Sequence, residues 1–336
     1  MKRVLLASNY AHNDVSSLLR SHGPFSLMRD EVEVVVPFKE DGKDYLESRW
    51  WTNFRNWLHV DCCFLHRPFG FYGQQIIESA KTHGVPLWVD HDDDLLSIPE
   101  TNPCYGIVKL DKENPSIEMS YVEADIITCQ STLMHTELRM KYDRGDAIHI
   151  PITLDDRLVR FKRIFNVNKK VMWRGSPTHA NDLLHYRVEL QKLFDKHQDI
   201  DFCFFGMDPR ELGFVGNFIV YKEFPMFRYY DLITCLNSMI HIVPLEPSKF
   251  NRVKSHLSWL DGTLSGSITV APDFPEFKRP GIFPGVDQTF FCNKVSGLLE
   301  ATHDLSGYNK LSWECILDNY LTSKWNKVRS EIVRNL

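Results

Sequence analysis

Short apolar runs recur along the whole chain, each separated from the next by a polar or amphipathic segment, and the rhythm repeats in both halves. In the first half they fall at Val4–Ser8, Val32–Phe38, Cys62–His66, Pro86–Asp92, Ile126–Gln130 and Ile148–Pro151. In the second half they fall at Lys170–Gly175, Phe202–Gly206, Phe218–Phe224, Ile240–Leu245, Ile268–Pro272 and Thr289–Cys292. Runs of strand length alternating with helical segments argue for parallel sheets wrapped by helices. The repetition predicts an α/β chain of two Rossmann-like domains with parallel sheets. At 336 residues there is material for two cores. Between the halves, Pro151–Asn168 is rich in charge and lacks a long apolar period, so it reads as the linker. The expected limits are 1–155 for the first domain, 156–310 for the second and 311–336 for a helical tail.

Composition narrows the class. The N-terminal apolar run Val4–Ala7 is too short for a signal peptide or a membrane span, which predicts a cytoplasmic protein without a transmembrane segment. Eight cysteines, two of them adjacent at Cys62 and Cys63, show no Cys-x-x-Cys spacing and fit reduced thiols. Residues 1–150 hold 15 Lys and Arg against 23 Asp and Glu, while the remainder holds 24 against 21. The acidic half has no broad field for nucleic acid, and the mildly cationic half suits an anionic ligand. Neither a Walker loop nor a dinucleotide Gly-rich loop is present, which weighs against P-loop kinases and nicotinamide dehydrogenases.

Two stretches carry chemistry. Phe250–Gly262 reads as a helix whose Val253, Leu257, Leu260 and Leu264 define a buried face. Lys254 and Asp261 would share a neighbouring face about 10 Å apart along the axis, a spacing suited to a diphosphate joined to a ribose. An amphipathic surface helix is the plain alternative. Trp173-Arg174-Gly175-Ser176-Pro177-Thr178-His179 closes a short strand before the next helix. Gly175 permits close backbone approach and Arg174 offers a planar fork for phosphate oxygens, although an ordinary strand-to-helix turn has the same look.

With these motifs, the strand Ile240–Leu245 and the pair Phe250-Asn251 leading into Lys254-Ser255, the chain resembles the GT-B glycosyltransferases, in particular the nucleotide-sugar-dependent family 4. Arg67, the run Gly84–Leu95 and Glu123–Thr128 resemble bacteriophage-encoded members. The resemblance implies a second domain that binds a nucleoside diphosphate sugar, a UDP-sugar above all. Arg174, Gly175, Ser176, His179, Asn251, Lys254 and Ser255 would hold the donor, and Asp261 would hold the ribose hydroxyls. The chain departs from the family pattern where the final Glu is Asp261 and the Glu expected eight positions earlier is Val253. Glu246 or backbone amides near Asn251 are the alternatives for sugar contact.

The acidic run Asp90-His91-Asp92-Asp93-Asp94 follows the strand signature Pro86–Val89 and allows three readings. Asp clusters suit Mg²⁺ or Mn²⁺, Asp is favoured at helix starts, and His91 with Asp92 would serve as catalytic positioning groups by resemblance to the family's first-domain histidine. Asp93 joins Trp51 and Arg55 as expected acceptor-binding residues. Trp50, Phe54, Trp57 and Leu58 share helical spacing and suit core packing, which would leave Trp51 and Arg55 on the other face. His12, His22, His66, His179 and His241 show no metal-ligand spacing. Gly262–Gly266 has its serine one position late for a hydrolase elbow.

The expected activity is therefore a metal-independent, retaining GT-B hexosyl- or pentosyltransferase that needs no cofactor beyond its sugar-nucleotide co-substrate. Its acceptor hydroxyl would belong to a glycan or to hydroxymethylpyrimidine in phage DNA. A non-catalytic nucleotide- or glycan-binding protein and a sugar-nucleotide epimerase are the alternatives.

Overall fold

In the computed structural model, which describes residues 1–8, 15–37, 51–160, 168–222, 226–302 and 304–336, the apolar runs form two separate six-stranded sheets. The first contains β1 (Lys2–Ser8), β2 (Val32–Val35), β3 (Cys62–His66), β4 (Leu87–His91), β5 (Ile126–Cys129) and β6 (Ile148–His149). Their order is β2-β1-β3-β4-β5-β6, parallel throughout. The second contains β7 (Asn168–Arg174), β8 (Asp201–Phe205), β9 (Phe218–Tyr221), β10 (Ser238–Ile242), β11 (Ile268–Pro272) and β12 (Ile282–Gly285). Their order is β12-β11-β10-β7-β8-β9, again parallel. In each sheet the winding direction reverses, between β1 and β3 in the first and between β7 and β10 in the second. Open α/β sheets hold ligands in the strand-end crevice at such reversals.

The unbroken apolar runs have a physical cause. Every residue of β3, β4, β10 and β11 is buried, as expected for strands covered by helices on both faces. Successive side chains enter opposite cores: Leu5, Ala7, Cys63 and Leu65 on one side of the first sheet, and Val4, Leu6, Phe64 and Trp88 on the other. The second unit has its main core around Val171, Trp173, Phe202, Phe204, Ile240, Val270 and Phe291.

One compact unit comprises Met1–Ile98, Cys104–Asp155 and Leu321–Leu336, and the other Pro99–Pro103 and Asp156–Tyr320. The expected tail limit at 311 falls inside the helix Ser306–Asn319, and the chain rejoins the first unit only with the helix Thr322–Asn335. The expected strand Thr289–Cys292 is instead the start of the helix Gln288–Leu299. Asp287 caps it by accepting the Phe290 N–H at 2.7 Å, and this local cap overrides the strand propensity of Thr-Phe-Phe. The last strand is β12, an edge position that tolerates Pro284. Phe38, Phe224, His12, Arg49, Trp50 and residues 161–167 of the expected linker lie outside the described residues.

Arg20 and Asp90 form a fully buried pair, Nε to Oδ2 at 2.9 Å and Nη2 to Oδ1 at 2.5 Å, with Nη1 donating to the Ile150 carbonyl at 2.7 Å. A second guanidinium, Arg329, is 1 % exposed and meets one acceptor among the described residues, Asn326 Oδ1 at 3.2 Å. Burial and then repulsion by Arg20 lower its pKa to about 9. Arg329→Met keeps the length and removes a poorly compensated buried charge. It is expected to stabilise the protein by about 1–3 kcal/mol, comparable to gains from replacing buried ions with apolar groups. Chemical denaturation checks this; a midpoint lower than wild type contradicts it.

Candidate functional site

The crevice between β7 and β10 is built by two loops. One leaves β7 at Arg174 and turns through Gly175–His179 into the helix Ala180–His185. Gly175 is required there, since a Cβ would stand 2.6 Å from the Trp173 ring. The other leaves β10 and runs through Glu246 to a short helix, Lys249–Arg252, capped by the Ser248 hydroxyl. The continuous helix expected over Phe250–Gly262 breaks here. The chain turns at Val253–His256 and resumes as Leu257–Leu264, so Lys254 and Ser255 sit in the turn and not on one helix face with Asp261.

Lys254 and Arg174 both act on His179. Lys254 Nζ stands 3.5 Å from His179 Nδ1, and the ammonium lies over the Phe250 ring at 4.9 Å. Burial, then the charge of Lys254, with a further contribution from Arg174, depress the His179 pKa to about 4. The imidazole is therefore neutral at pH 7. Asp182 Oδ2 accepts from its Nδ1 at 2.8 Å, which fixes the tautomer and leaves Nε2 as the acceptor nitrogen. Two cations, Lys254 and Arg174, stand in this strand-end crevice with a neutral imidazole, and the carboxylates of Asp182 and Asp261 offset part of their charge.

Sequence reasoning missed the residue that holds this arrangement together. Asp182, 4 % exposed, bonds His179 with one oxygen; the other accepts from the Glu246 N–H at 3.0 Å and from Asn251 Nδ2 at 2.7 Å. Asn251 also donates to the Glu246 carbonyl at 3.1 Å. Asp182 thus ties the two loops together, and Asn251, expected to touch the donor, is a buried strut. An acid at a helix start, two residues beyond a turn, was the available signal.

Asp261 also departs from expectation. It is 2 % exposed, with Oδ2 at 2.8 Å from both Arg174 Nε and Tyr229 Oη. Burial raises its pKa, and Arg174 and Tyr229 offset that in part. A carboxylate enclosed in this way is held by Arg174 and Tyr229, and the ribose role expected for it falls on a buried group. Ser176 is exposed and Ser255 half-buried, so both remain within reach of a ligand. Val253, in the place of the expected Glu, is fully buried.

In the first sheet the acidic run closes β4, beside β3, and its side chains part to different partners. His91 is fully buried, 2.9 Å from Ser120 Oγ and packed on Tyr121 at 4.7 Å, and burial lowers its pKa to about 4. Asp92 is 3 % exposed and bound to Arg67, with His66 Nε2 at 3.4 Å. The catalytic role expected for His91 and Asp92 thus falls on two side chains enclosed within the first unit, one held by Ser120 and the other by Arg67. Asp93 is the accessible acid, its side chain 19 % exposed and paired with Arg67 Nη2 at 2.6 Å. Among the described residues no His, Cys, Asp or Glu group is placed to hold a metal ion. Trp51 does not lie on the exposed face expected of it: it is fully buried against Trp57 at 6.2 Å, while Phe54 is 60 % exposed. A 3₁₀ turn at Phe54–Asn56, capped by Asn53, stands where an α-helix was expected: Trp57 is buried and Arg55 exposed as expected, whereas Phe54 and Leu58 are exposed.

Neither a protein-family model nor a curated protein matches the chain. Solved structures do. Sucrose-phosphate synthase from Thermosynechococcus elongatus superposes with a TM-score of 0.68 at 9 % identity, covering 100 % of this chain and 99 % of that one. HepE of Anabaena, in complex with UDP and glucose, superposes with a TM-score of 0.67 at 11 % identity over 100 % of both chains. The fold is GT-B. A third GT-B neighbour, α,α-trehalose 6-phosphate synthase from Burkholderia multivorans, gives a TM-score of 0.61 at 9 % identity, covering 100 % and 97 %. In the GT-B unit formed mainly by Asp156–Tyr320, the crevice with Arg174, His179 and Lys254 is a reversal point of the sheet. No helix among the described residues is long and apolar enough to cross a membrane.

Proposed function

We propose that this chain is a glycosyltransferase that moves a sugar from a nucleoside diphosphate sugar, with uridine as the expected base, to an acceptor hydroxyl. The observation that carries the proposal is Lys254 beside neutral His179 in the β7–β10 crevice, where Arg174, itself paired with Asp261, adds to the positive field at the imidazole. Departure of a nucleoside diphosphate builds negative charge on phosphate oxygens. Cations fixed before the reaction stabilise that charge without reorganisation, which is the role a divalent ion plays in other transferases. Asp182 keeps the loops in register, and Ser176 and Ser255 supply hydroxyls at the rim. The bound UDP in HepE supports the choice of base.

The finer reading follows the sequence: a family 4-like, retaining enzyme of phage origin, working in the host cytoplasm, with hydroxymethylpyrimidine in DNA or a glycan as acceptor. The absence of a carboxylate at Val253 favours a second reading, a protein that binds the nucleotide without turning it over. A thermal-shift series with UDP, ADP, GDP and dTDP separates the two when paired with a donor-hydrolysis assay. UDP at about 100 times its Kd is expected to stabilise the protein by about 2.7 kcal/mol. No shift with any of the four nucleotides rejects the proposal, and a shift without hydrolysis or transfer selects the second reading.

A further inference from the structure

The first unit carries an aromatic platform that the proposed donor chemistry does not use. β3 ends at His66; Arg67 then takes a left-handed backbone, φ 51°, and Gly70, φ 61°, opens the helix Gly70–Thr82. The first turn of that helix presents Phe71, 51 % exposed, and Tyr72, 38 % exposed, with ring centroids 5.7 Å apart and edge to face. Leu110, 50 % exposed, extends the apolar area, its Cβ only 3.3 Å from where a Gly70 Cβ would stand. The Arg67–Asp93 pair lies at the same strand end, with 13 % and 19 % of the two side chains exposed. Phe71 is four positions after Arg67, which keeps their Cα atoms within about 14 Å. Arg67 follows β3 and Asp93 follows β4, so the pair stands at the strand ends next to the β1–β3 reversal, where a doubly wound sheet receives ligands.

We propose that Phe71 and Tyr72, with the Arg67–Asp93 pair beside them, form a carbohydrate subsite that receives the sugar ring of a glycan acceptor. The inference rests on the glycosyltransferase reading and assigns its acceptor class. A pyranose has an apolar C–H face that packs on an aromatic ring and a hydroxyl edge that a carboxylate and a guanidinium can both hydrogen-bond. Two exposed aromatics beside an ion pair offer both contacts. Charge decides against the other occupants of an aromatic patch: residues 1–150 carry 15 basic and 23 acidic side chains, which repel a phosphate backbone or an anionic bilayer. Lys109 and Lys112, 5.7 Å and 5.9 Å from the Tyr105 ring, do not reverse that balance.

Saturation-transfer NMR on the full chain with UDP present tests the proposal, using the methyl glycosides of glucose, galactose, mannose, N-acetylglucosamine and xylose as probes. Wild type is expected to transfer saturation to the ring protons of at least one glycoside. Phe71→Ser/Tyr72→Ser is expected to reduce the signal at least fivefold, and Asp93→Asn to reduce it separately, with the UDP-induced melting shift unchanged in both variants. No transfer to any glycoside, or an equal signal in wild type and both variants, overturns it. So does binding of a single-stranded oligonucleotide or of phosphatidylglycerol vesicles that the double variant abolishes. Should UDP give no melting shift in wild type, the donor reading fails while the glycoside signal still reports on the platform.

Discussion

Replacing Lys254 with methionine is expected to lower sugar transfer by about 10²- to 10³-fold, the cost typical of removing one group aimed at developing negative charge. Methionine retains the stem that packs toward Phe250 and deletes only the ammonium, which lies 4.9 Å from that ring. Lys254 sits half-buried in a turn between two helices, so the melting temperature should change little. A second readout is independent of activity. The Lys254 charge is the second cause, after burial, of the His179 pKa of about 4, so its removal should move that pKa part of the way back toward 6.5. The direction follows from charge: a nearby cation disfavours the imidazolium, and deleting it restores protonation. NMR titration of the His179 ring checks this alongside kcat/KM. Unchanged turnover with a shifted His179 would keep the geometry and discard the catalytic role; an unmoved His179 would discard the geometry as well.

The fold was legible in the sequence because parallel strands covered on both faces become unbroken apolar runs, and Cys62–His66 and Ile268–Pro272 have the expected limits. Errors arose where a local cap or a break outweighs periodicity. Asp287 turns Thr289–Cys292 into helix, and the turn at Val253–His256 splits a segment whose apolar spacing alone reads as continuous. The acidic run teaches something different. In β4 neighbouring side chains face opposite ways, so Asp90 meets Arg20 while His91 turns to Ser120, and Asp92, just past the strand end, meets Arg67. The strand period already separates Asp90 from His91. For Asp182 the sequence offered only an acid at a helix start, and for Tyr229 nothing, because their tying contacts lie 64 to 69 and 32 residues away in the chain.

The second large effect concerns the resemblance-derived pairing of Arg174 with phosphate. Arg174→Ala is expected to destabilise the protein by about 3–5 kcal/mol, because it leaves a buried carboxylate without its counter-ion. Asp261 would retain Tyr229 Oη at 2.8 Å, a neutral donor, in a site where it is 2 % exposed. For a unit of this size each kcal/mol is worth roughly 2–4 °C, so a fall in melting temperature of roughly 6–20 °C is expected. Two controls identify the mechanism. Arg174→Leu/Asp261→Leu removes both charges and should recover most of the loss, since apolar replacement of a buried pair costs little. The deficit of Arg174→Ala should also shrink as pH falls. Burial already raises the Asp261 pKa, and losing Arg174 raises it further. The folded state then binds a proton that the unfolded state releases between the ordinary carboxylate pKa and the raised one, so stability falls as pH rises through that window. A pH-independent deficit, or a double variant no better than the single, would assign the loss to packing of the guanidinium against its neighbours. If Arg174→Ala melts like wild type, the Asp261 contact contributes no stability and Arg174 is available to phosphate without structural cost. Only in that case does loss of activity in Arg174→Ala report on the donor. Otherwise the donor test belongs to Lys254, and Arg174 acts first by holding the floor of the crevice.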